Sequence, residues 1–348
     1  MTAKKLKIGV VGAGRMGANH ARILGKHPGF ELVGVCDTNQ WRAQIAAWRA
    51  GALAYREVKD LLDKVDAVVV AVPTQFHCEV GLAALEAGKH VLIEKPIAAT
   101  VDEAKRLLDK AAEKKVQLQV GHVERFNPAV LGAIPHIREP RFITVERLGP
   151  YDPRVSGIGV VLDLMIHDLD ILLTLVGSEV ESLEALGATL FSKHEDIANV
   201  RVRFKNGCVA DLTASRISLK RCRKIRIFQS ESYISLDYAN ADLRVYKRKK
   251  PEIKTLKDVE MLSPKLDKTE PLRVELDHFL DCIVHDRKPW TSGEHGLEAL
   301  ALALQIVDEL ERYELSHQTR SAAFLPRWAG QIKRAAAVVA RAVRSEDA

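Results

Sequence analysis

The chain has little of what marks a secreted, membrane-embedded or metal-scaffolded protein. Its 348 residues include five cysteines, Cys36, Cys78, Cys208, Cys222 and Cys282. They are odd in number, widely scattered and contain no CxxC pair, so they offer neither a disulfide framework nor a zinc site, and no metal is expected. No stretch approaches the ~18 uninterrupted apolar residues of a membrane-spanning helix. There is no internal repeat or low-complexity tract. Met1-Thr2-Ala3-Lys4-Lys5 leads directly into a glycine-rich strand–turn without a small-residue cleavage site, so a cytoplasmic location is expected. Neither zinc-finger spacing nor an RNA-binding aromatic signature accompanies the formal charge of +6, and nucleic acid is the weaker reading of that charge. An anionic lipid surface or a phosphorylated ligand fits it as well.

What is present is a soluble globular composition, 47% hydrophobic and 28% charged, of a length that suits two domains at ~150 residues each. The first part alternates β-branched runs (Leu6–Val11, Glu31–Cys36, Asp66–Val72, His90–Ile93, Val116–Val120) with helical patterns (Met16–Leu24, Gln40–Arg49, Glu79–Ala87, Val101–Lys114). Such alternation predicts a doubly wound parallel sheet of the Rossmann type. The rhythm changes from about Arg141. A strand at Phe142–Arg147 and a helix over Val160–Val176, ended by Gly177, precede a series of strands from Val180 to Tyr246. Asn206-Gly207 marks a hairpin within that series, and helices are expected over Leu272–Val284 and Gly296–Tyr313. This half is predicted as an α+β domain with a mostly antiparallel open sheet. The expected division is 1–122, 123–315 and a C-terminal extension, 316–348.

The chemistry begins at Gly12-Ala13-Gly14-Arg15-Met16-Gly17, a GxGxxG between a strand and a helix. The first glycine permits a tight turn, the second admits a pyrophosphate, and the third lets the helix pack close with its N-terminus aimed at the phosphates. Asp37 ends the second strand where a carboxylate bonds the ribose 2′-hydroxyl. It would repel a 2′-phosphate, which favours NAD over NADP, with Arg42 nearby as a contrary sign. Arg15 and Met16 belong to the same cofactor loop. In open α/β sheets ligands lie beyond the carboxyl ends of strands, so Pro73, Thr74, His77, Glu94 and Lys95 are further candidates to line the cofactor cleft. Asp163 and His167, four apart on a predicted helix, would share a face, with Asp170 joining them. A histidine beside a carboxylate has a raised pKa and suits proton transfer. A purely structural Asp–His pair has the same spacing.

Taken in order, Gly12–Gly17, Pro73-Thr74 with His77, Glu94-Lys95-Pro96 and Asp163…His167 resemble the family of glucose–fructose oxidoreductase, inositol dehydrogenase and MocA over roughly residues 5–315. The resemblance implies an NAD-dependent dehydrogenase acting on CH–OH groups, with Lys95, Asp163 and His167 as the catalytic trio. Ser156-Gly157-Ile158-Gly159 departs mildly from the family's usual triple glycine. Within the family, the stretches Gly121–Pro128, Leu148–Arg154 and Thr213–Arg216 are similar to the UDP-N-acetylglucosamine 3-dehydrogenases, whose 3-keto product leads to the diamino sugar of lipid A. On that resemblance Arg125, Arg154 and Arg216 are candidates for a diphosphate and Tyr151 for a sugar or base; solvated or structural arginines would look the same. A free sugar or polyol substrate, or a non-catalytic dinucleotide-binding sensor, are the alternatives. An open sheet face suggests a homo-oligomer. In the extension, Trp328, Ile332, Ala335, Ala336, Val339 and Val343 form an apolar stripe opposite Arg327, Lys333, Arg334, Arg341 and Arg344. That pattern suits peripheral contact with an anionic membrane, or packing on the protein's own surface or another subunit.

Overall fold

The computed structural model describes residues 5–152 and 157–321, the side chains of 314–321 excepted. The first part winds β1 (Leu6–Val11), α1 (Arg15–Leu24), β2 (Phe30–Cys36), α2 (Gln40–Ala50), β3 (Leu53–Tyr55), α3 (Val58–Leu62), β4 (Ala67–Val70), α4 (His77–Glu86), β5 (His90–Glu94), α5 (Val101–Lys114) and β6 (Leu118–Gly121). All six strands are parallel, in the order β3-β2-β1-β4-β5-β6. This is the doubly wound dinucleotide-binding order, with its crevice where the order reverses between β1 and β4. Runs such as Ala67-Val68-Val69-Val70 are fully buried, as parallel strands covered on both faces must be. Thr100 and Glu103 close a reciprocal capping box at the start of α5, which explains why that helix begins where the sequence predicts.

After α6 (Pro128–Ala133), the second part contains β7 (Phe142–Leu148), α7 (Ile166–Val176), β8 (Val180–Ala188), β9 (Ile197–Phe204), β10 (Val209–Ser215), β11 (Cys222–Phe228), β12 (Ser232–Asp237), β13 (Asp242–Arg248) and β14 (Val259–Leu262). They form an eight-stranded sheet, order β14-β13-β12-β11-β7-β10-β9-β8. Its pairings are antiparallel except β7 with β10. Gly207, at φ 86°, makes the β9–β10 turn at the expected Asn-Gly. Both sheets agree with the fold class read from the sequence; β3 and β14, short strands at sheet edges, have no counterpart in that reading.

Two helices tie the halves together. Leu272, Leu276 and Phe279 of α8 (Pro271–Val284) pack into the core of the first sheet with Ile8, Phe30 and Leu92. Along α9 (Gly293–Ser321), Leu300 belongs to the first sheet's other core, while Ala303, Ile306 and Leu310 belong to the core under the second sheet. The chain therefore returns to the dinucleotide-binding half after completing the second sheet. The C-terminal extension beyond 321 lies outside the described residues. Among the described residues no helix is long and apolar enough to cross a membrane.

Candidate active site

The glycine-rich loop has the shape a pyrophosphate needs. Gly12 adopts φ +96°, and a Cβ there would stand 2.4 Å from the Ala71 carbonyl oxygen. A Cβ on Gly17 would come within 1.7 Å of the Gly12 carbonyl oxygen, so α1 can begin only with glycine there. Gly14 has nothing within 4 Å of its would-be Cβ. That open side, at the uncapped N-terminus of α1, offers backbone amides and the positive end of the helix dipole to an anion. Arg15 and Met16 are the first two residues of α1. Asp37, beyond β2, accepts from the amides of Ala13 at 2.6 Å and Asn39 at 2.7 Å. Its negative charge is thereby fixed beside the loop. The cradle and this carboxylate fit NAD.

Pro73 and Thr74 follow β4 and open a short 3₁₀ turn. His77 is buried behind them, its ring nitrogens 2.7 Å from the Pro96 carbonyl and 2.9 Å from the Val72 carbonyl. It therefore braces the two strand-end loops against each other. Burial lowers its pKa, with the two carbonyls opposing. Glu94 is likewise turned inward, accepting from His20 Nε2 at 2.8 Å. Burial pushes this carboxyl up, but the His20 bond and the neighbouring His20, Lys95 and His77 charges outweigh it and hold Glu94 below its ordinary value.

Lys95 stands next in the chain, before a cis peptide to Pro96. Its ammonium donates to the backbone carbonyl of Asp163 at 2.5 Å and lies 3.5 Å from the Asp163 carboxylate. Burial lowers the Lys95 pKa, opposed by the Asp163 and Glu94 charges. Asp163 does not sit on a regular helix. Val161–Met165 form a single π-turn ahead of α7, a widening of the helix frequently found at functional sites. The extra residue breaks the i,i+4 register, and among the described residues no hydrogen bond joins Asp163 to His167. The expected pairing is therefore corrected: Asp163 holds Lys95. His167 is also opposite to expectation in its titration. Its pKa falls well below 6.5, first through burial and then through the Lys95, Arg147, His122 and Arg223 charges. A neutral imidazole beside an ammonium can take a proton from an alcohol whose oxygen the ammonium stabilises.

The neighbouring acids are occupied elsewhere. Asp170 turns away from the site to make a two-pronged pair with Arg125, both contacts at 2.7 Å. Arg125 is buried and also donates to the Trp290 carbonyl at 2.5 Å. Asp168 is gripped by Arg147 at 2.7 and 2.9 Å and accepts from the Tyr238 hydroxyl at 2.5 Å. Arg216 is buried too, donating to Asp196 at 2.7 Å, to the Ile158 carbonyl at 2.6 Å and to Ser192 Oγ at 2.6 Å. The expected diphosphate role of Arg125 and Arg216 is thus corrected: both guanidiniums are committed to internal acceptors, and Arg216 knits three loops into one lip. Tyr151 belongs to that lip, with Arg216 5.9 Å over its ring and its hydroxyl donating to the Phe191 carbonyl at 3.3 Å. Arg154 lies outside the described residues. Glu195, missed in the sequence, clasps the glycine loop: it accepts from the Val161 amide at 3.1 Å, and a Cβ on Gly159 would stand 1.9 Å from its carboxylate. Arg223 was also missed. Its half-exposed guanidinium lies 3.3 Å from Glu124, close enough to bear on His167. Among the described residues no cluster of metal-ligating side chains comes together.

A dinucleotide cradle at one sheet's crevice and a Lys–Asp–His group between that sheet and a second, mostly antiparallel one define a two-domain nicotinamide oxidoreductase. Residues 6–122 match the model of an oxidoreductase family with an NAD-binding Rossmann fold, and residues 137–235 match its C-terminal domain. The chain belongs to this glucose–fructose oxidoreductase, inositol dehydrogenase and MocA family, and its cofactor is NAD. It is 36% identical over 314 residues to a UDP-N-acetylglucosamine 3-dehydrogenase of Acidithiobacillus ferrooxidans, covering 88% of this chain and 98% of that one. The solved structure of the enzyme of that name from the same organism superposes with a TM-score of 0.85 at 35% identity, over 89% of this chain and 99% of the other. A myo-inositol 2-dehydrogenase of Thermotoga maritima is 28% identical over 327 residues, 88% of this chain and 96% of its own.

Proposed function

We propose that the protein oxidises the C3 carbinol of UDP-N-acetylglucosamine to the 3-keto sugar. The observation that carries the chemistry is the Lys95 ammonium, pinned by Asp163 in the surroundings of a neutral His167. The end-to-end similarity to a UDP-N-acetylglucosamine 3-dehydrogenase supports the substrate.

Bound NAD supplies the acceptor for the hydride that leaves C3. His167 takes the hydroxyl proton as general base, and Lys95 stabilises the negative charge that develops on the oxygen. Asp163 is a positioning residue that fixes the ammonium. Gly12, Gly14 and Gly17 with the amides of Arg15 and Met16 would hold the pyrophosphate, and Asp37 would favour a free ribose 2′-hydroxyl over a phosphate. Pro73 and Thr74, braced by His77, would line the cofactor cleft beyond β4. Arg223, half-exposed, paired with Glu124 and close enough to bear on His167, is the candidate cation for the sugar nucleotide's diphosphate in place of Arg125 and Arg216.

Three broader readings accompany the substrate. The 3-keto product suits transamination toward the diamino sugar of lipid A, in the cytoplasm. The face of the second sheet turned away from its helices bears a ladder of Phe142, Phe228, Tyr233 and Tyr246, with ring centroids 4.9 to 5.7 Å apart. It suits burial against a second copy of the chain. Peripheral membrane contact through the C-terminal extension is the third.

The deciding experiment is NADH formation from NAD and UDP-N-acetylglucosamine, with a carbonyl trap to draw off the keto product and Lys95→Ala as control. Turnover that the substitution abolishes is expected. Turnover of myo-inositol with none of the nucleotide sugar would overturn the substrate, as would the absence of thermal protection by uridine nucleotides.

A further inference from the structure

Behind Lys95 and His167 lies a group of polar atoms that the mechanism above leaves unused. Nδ1 of His20, Oε1 of Gln119, both ring nitrogens of His122, Nδ1 of His167, both carboxylate oxygens of Glu275 and Oγ1 of Thr291 are sealed from solvent without a protein hydrogen-bond partner. The residues come from α1, β6 and the turn after it, α7, α8 and the segment before α9. Short contacts tie this layer together: Gln119 Nε2 donates to the Glu275 carbonyl at 3.3 Å and the Val120 amide to the Thr291 carbonyl at 2.7 Å. Each unpaired buried polar atom is costly, and so many of them together weigh heavily against the small net stability of a folded domain. Polar atoms on several sides are the partners an internal water needs.

His122 occupies the strategic position. It is fully buried, and its ring meets that of His167 edge-on with centroids 6.5 Å apart. On its other side Nε2 lies 3.8 Å from the Asp170 carboxylate. His167 is partly exposed although its Nδ1 is sealed, which leaves Nε2 open to the cleft. We propose that these groups form a hydrated proton relay in which His122 receives, through water, the proton that His167 passes inward. The inference rests on the dehydrogenase reading of the site. The substrate hydroxyl gives its proton to His167 Nε2, the proton on His167 Nδ1 crosses the bridging water to His122, and the resulting imidazolium faces Asp170. The hydride carries away the electron pair of the C–H bond, so one proton and one hydride leave the alcohol. Burial holds the His122 pKa below its ordinary value; of the charges facing it, Asp170 and Glu94 favour the imidazolium, and Arg125 and Lys95 oppose it. Those facing His167 are Lys95, Arg147, His122 and Arg223, all opposing.

The test has one arm without substrate. Imidazole ¹⁵N signals are followed against pH in the NAD-bound wild type and in His167→Gln. Removing His167 is expected to move the His122 titration, and an unmoved curve overturns the relay. In the second arm His122→Gln, matched to wild type in melting temperature, is expected to lose on the order of 10²-fold in kcat. A curved proton inventory should become linear, and added imidazole should restore rate. Unchanged kcat with an unchanged inventory overturns the relay. If His122→Gln does not fold, the titration arm decides alone. If wild type does not turn over UDP-N-acetylglucosamine, the substrate reading fails while that arm still judges the relay.

Discussion

Lys95 is bound to Asp163 chiefly through the main chain, at 2.5 Å to the carbonyl and 3.5 Å to the carboxylate. That carbonyl lies within the π-turn that precedes α7. The turn thus places the cation, and the carboxylate tunes it.

The two roles separate by mutation. Asp163→Asn keeps the carbonyl and removes the charge that raises the Lys95 pKa, so the already lowered pKa falls further. The high-pH limb of kcat/KM is expected to move to lower pH, with a loss near tenfold at neutrality. Lys95→Ala should lose ~10²–10⁴-fold across the range. Because His167 titrates well below 6.5, the low-pH limb of wild type should also lie well below 6.5. Initial rates from acid to alkaline pH check all three.

Two glycines of the cofactor loop are expected to fail differently. Gly14→Ala meets no atom within 4 Å, so melting temperature should hold while NAD binding weakens at least tenfold, ~1.4 kcal/mol. Gly17→Ala drives a methyl into the Gly12 carbonyl, so both should fall. Calorimetric titration and thermal melts distinguish them.

Arg147 and Asp168 form a buried pair with Tyr238 on the same carboxylate. Arg147→Met leaves Asp168 uncompensated and should cost ~3–5 kcal/mol of stability. Tyr238→Phe removes one bond to a charged acceptor and should cost ~1.5–3 kcal/mol. Urea unfolding measures both.

Glu275 is buried with both oxygens unpaired, and its pKa stands well above 4.5 through burial and the Glu94 and Asp170 charges. The unfolded chain releases this proton near the ordinary carboxylate value while the folded chain keeps it. Stability therefore declines as pH rises from there toward the raised value. Glu275→Gln, which mimics the neutral acid, should remove that decline and be more stable than wild type at neutral pH. Unfolding free energies at pH 5 and pH 8 give the sign.

Much of the fold was legible because its signals are local. Gly12 and Gly17 of the GxGxxG are required for backbone reasons alone, Asn206-Gly207 specifies its own turn, and Thr100 with Glu103 writes the start of a helix. The site was legible in membership more than in wiring. Lys95, Asp163 and His167 come together, but a π-turn cannot be read from a helical repeat, so the spacing points Asp163 at His167 where the structure gives it Lys95. Arg125 and Arg216 have the composition of anion-binding residues; only the distant Asp170 and Asp196 reveal them as internal clamps. His122 and Glu275 carry no sequence signal, since their significance is the lack of a partner in three dimensions.

The return of α8 to the first sheet bears on domain grafting. Leu276 and Phe279 fill the same layer as Ile8 and Phe30, so a fragment ending after β6 would uncover part of that layer. A transplantable cofactor module would therefore be discontinuous: residues 5–122 together with 271–284 and the start of α9, whose Leu300 fills the sheet's other core, joined by a new linker where the second sheet is now inserted.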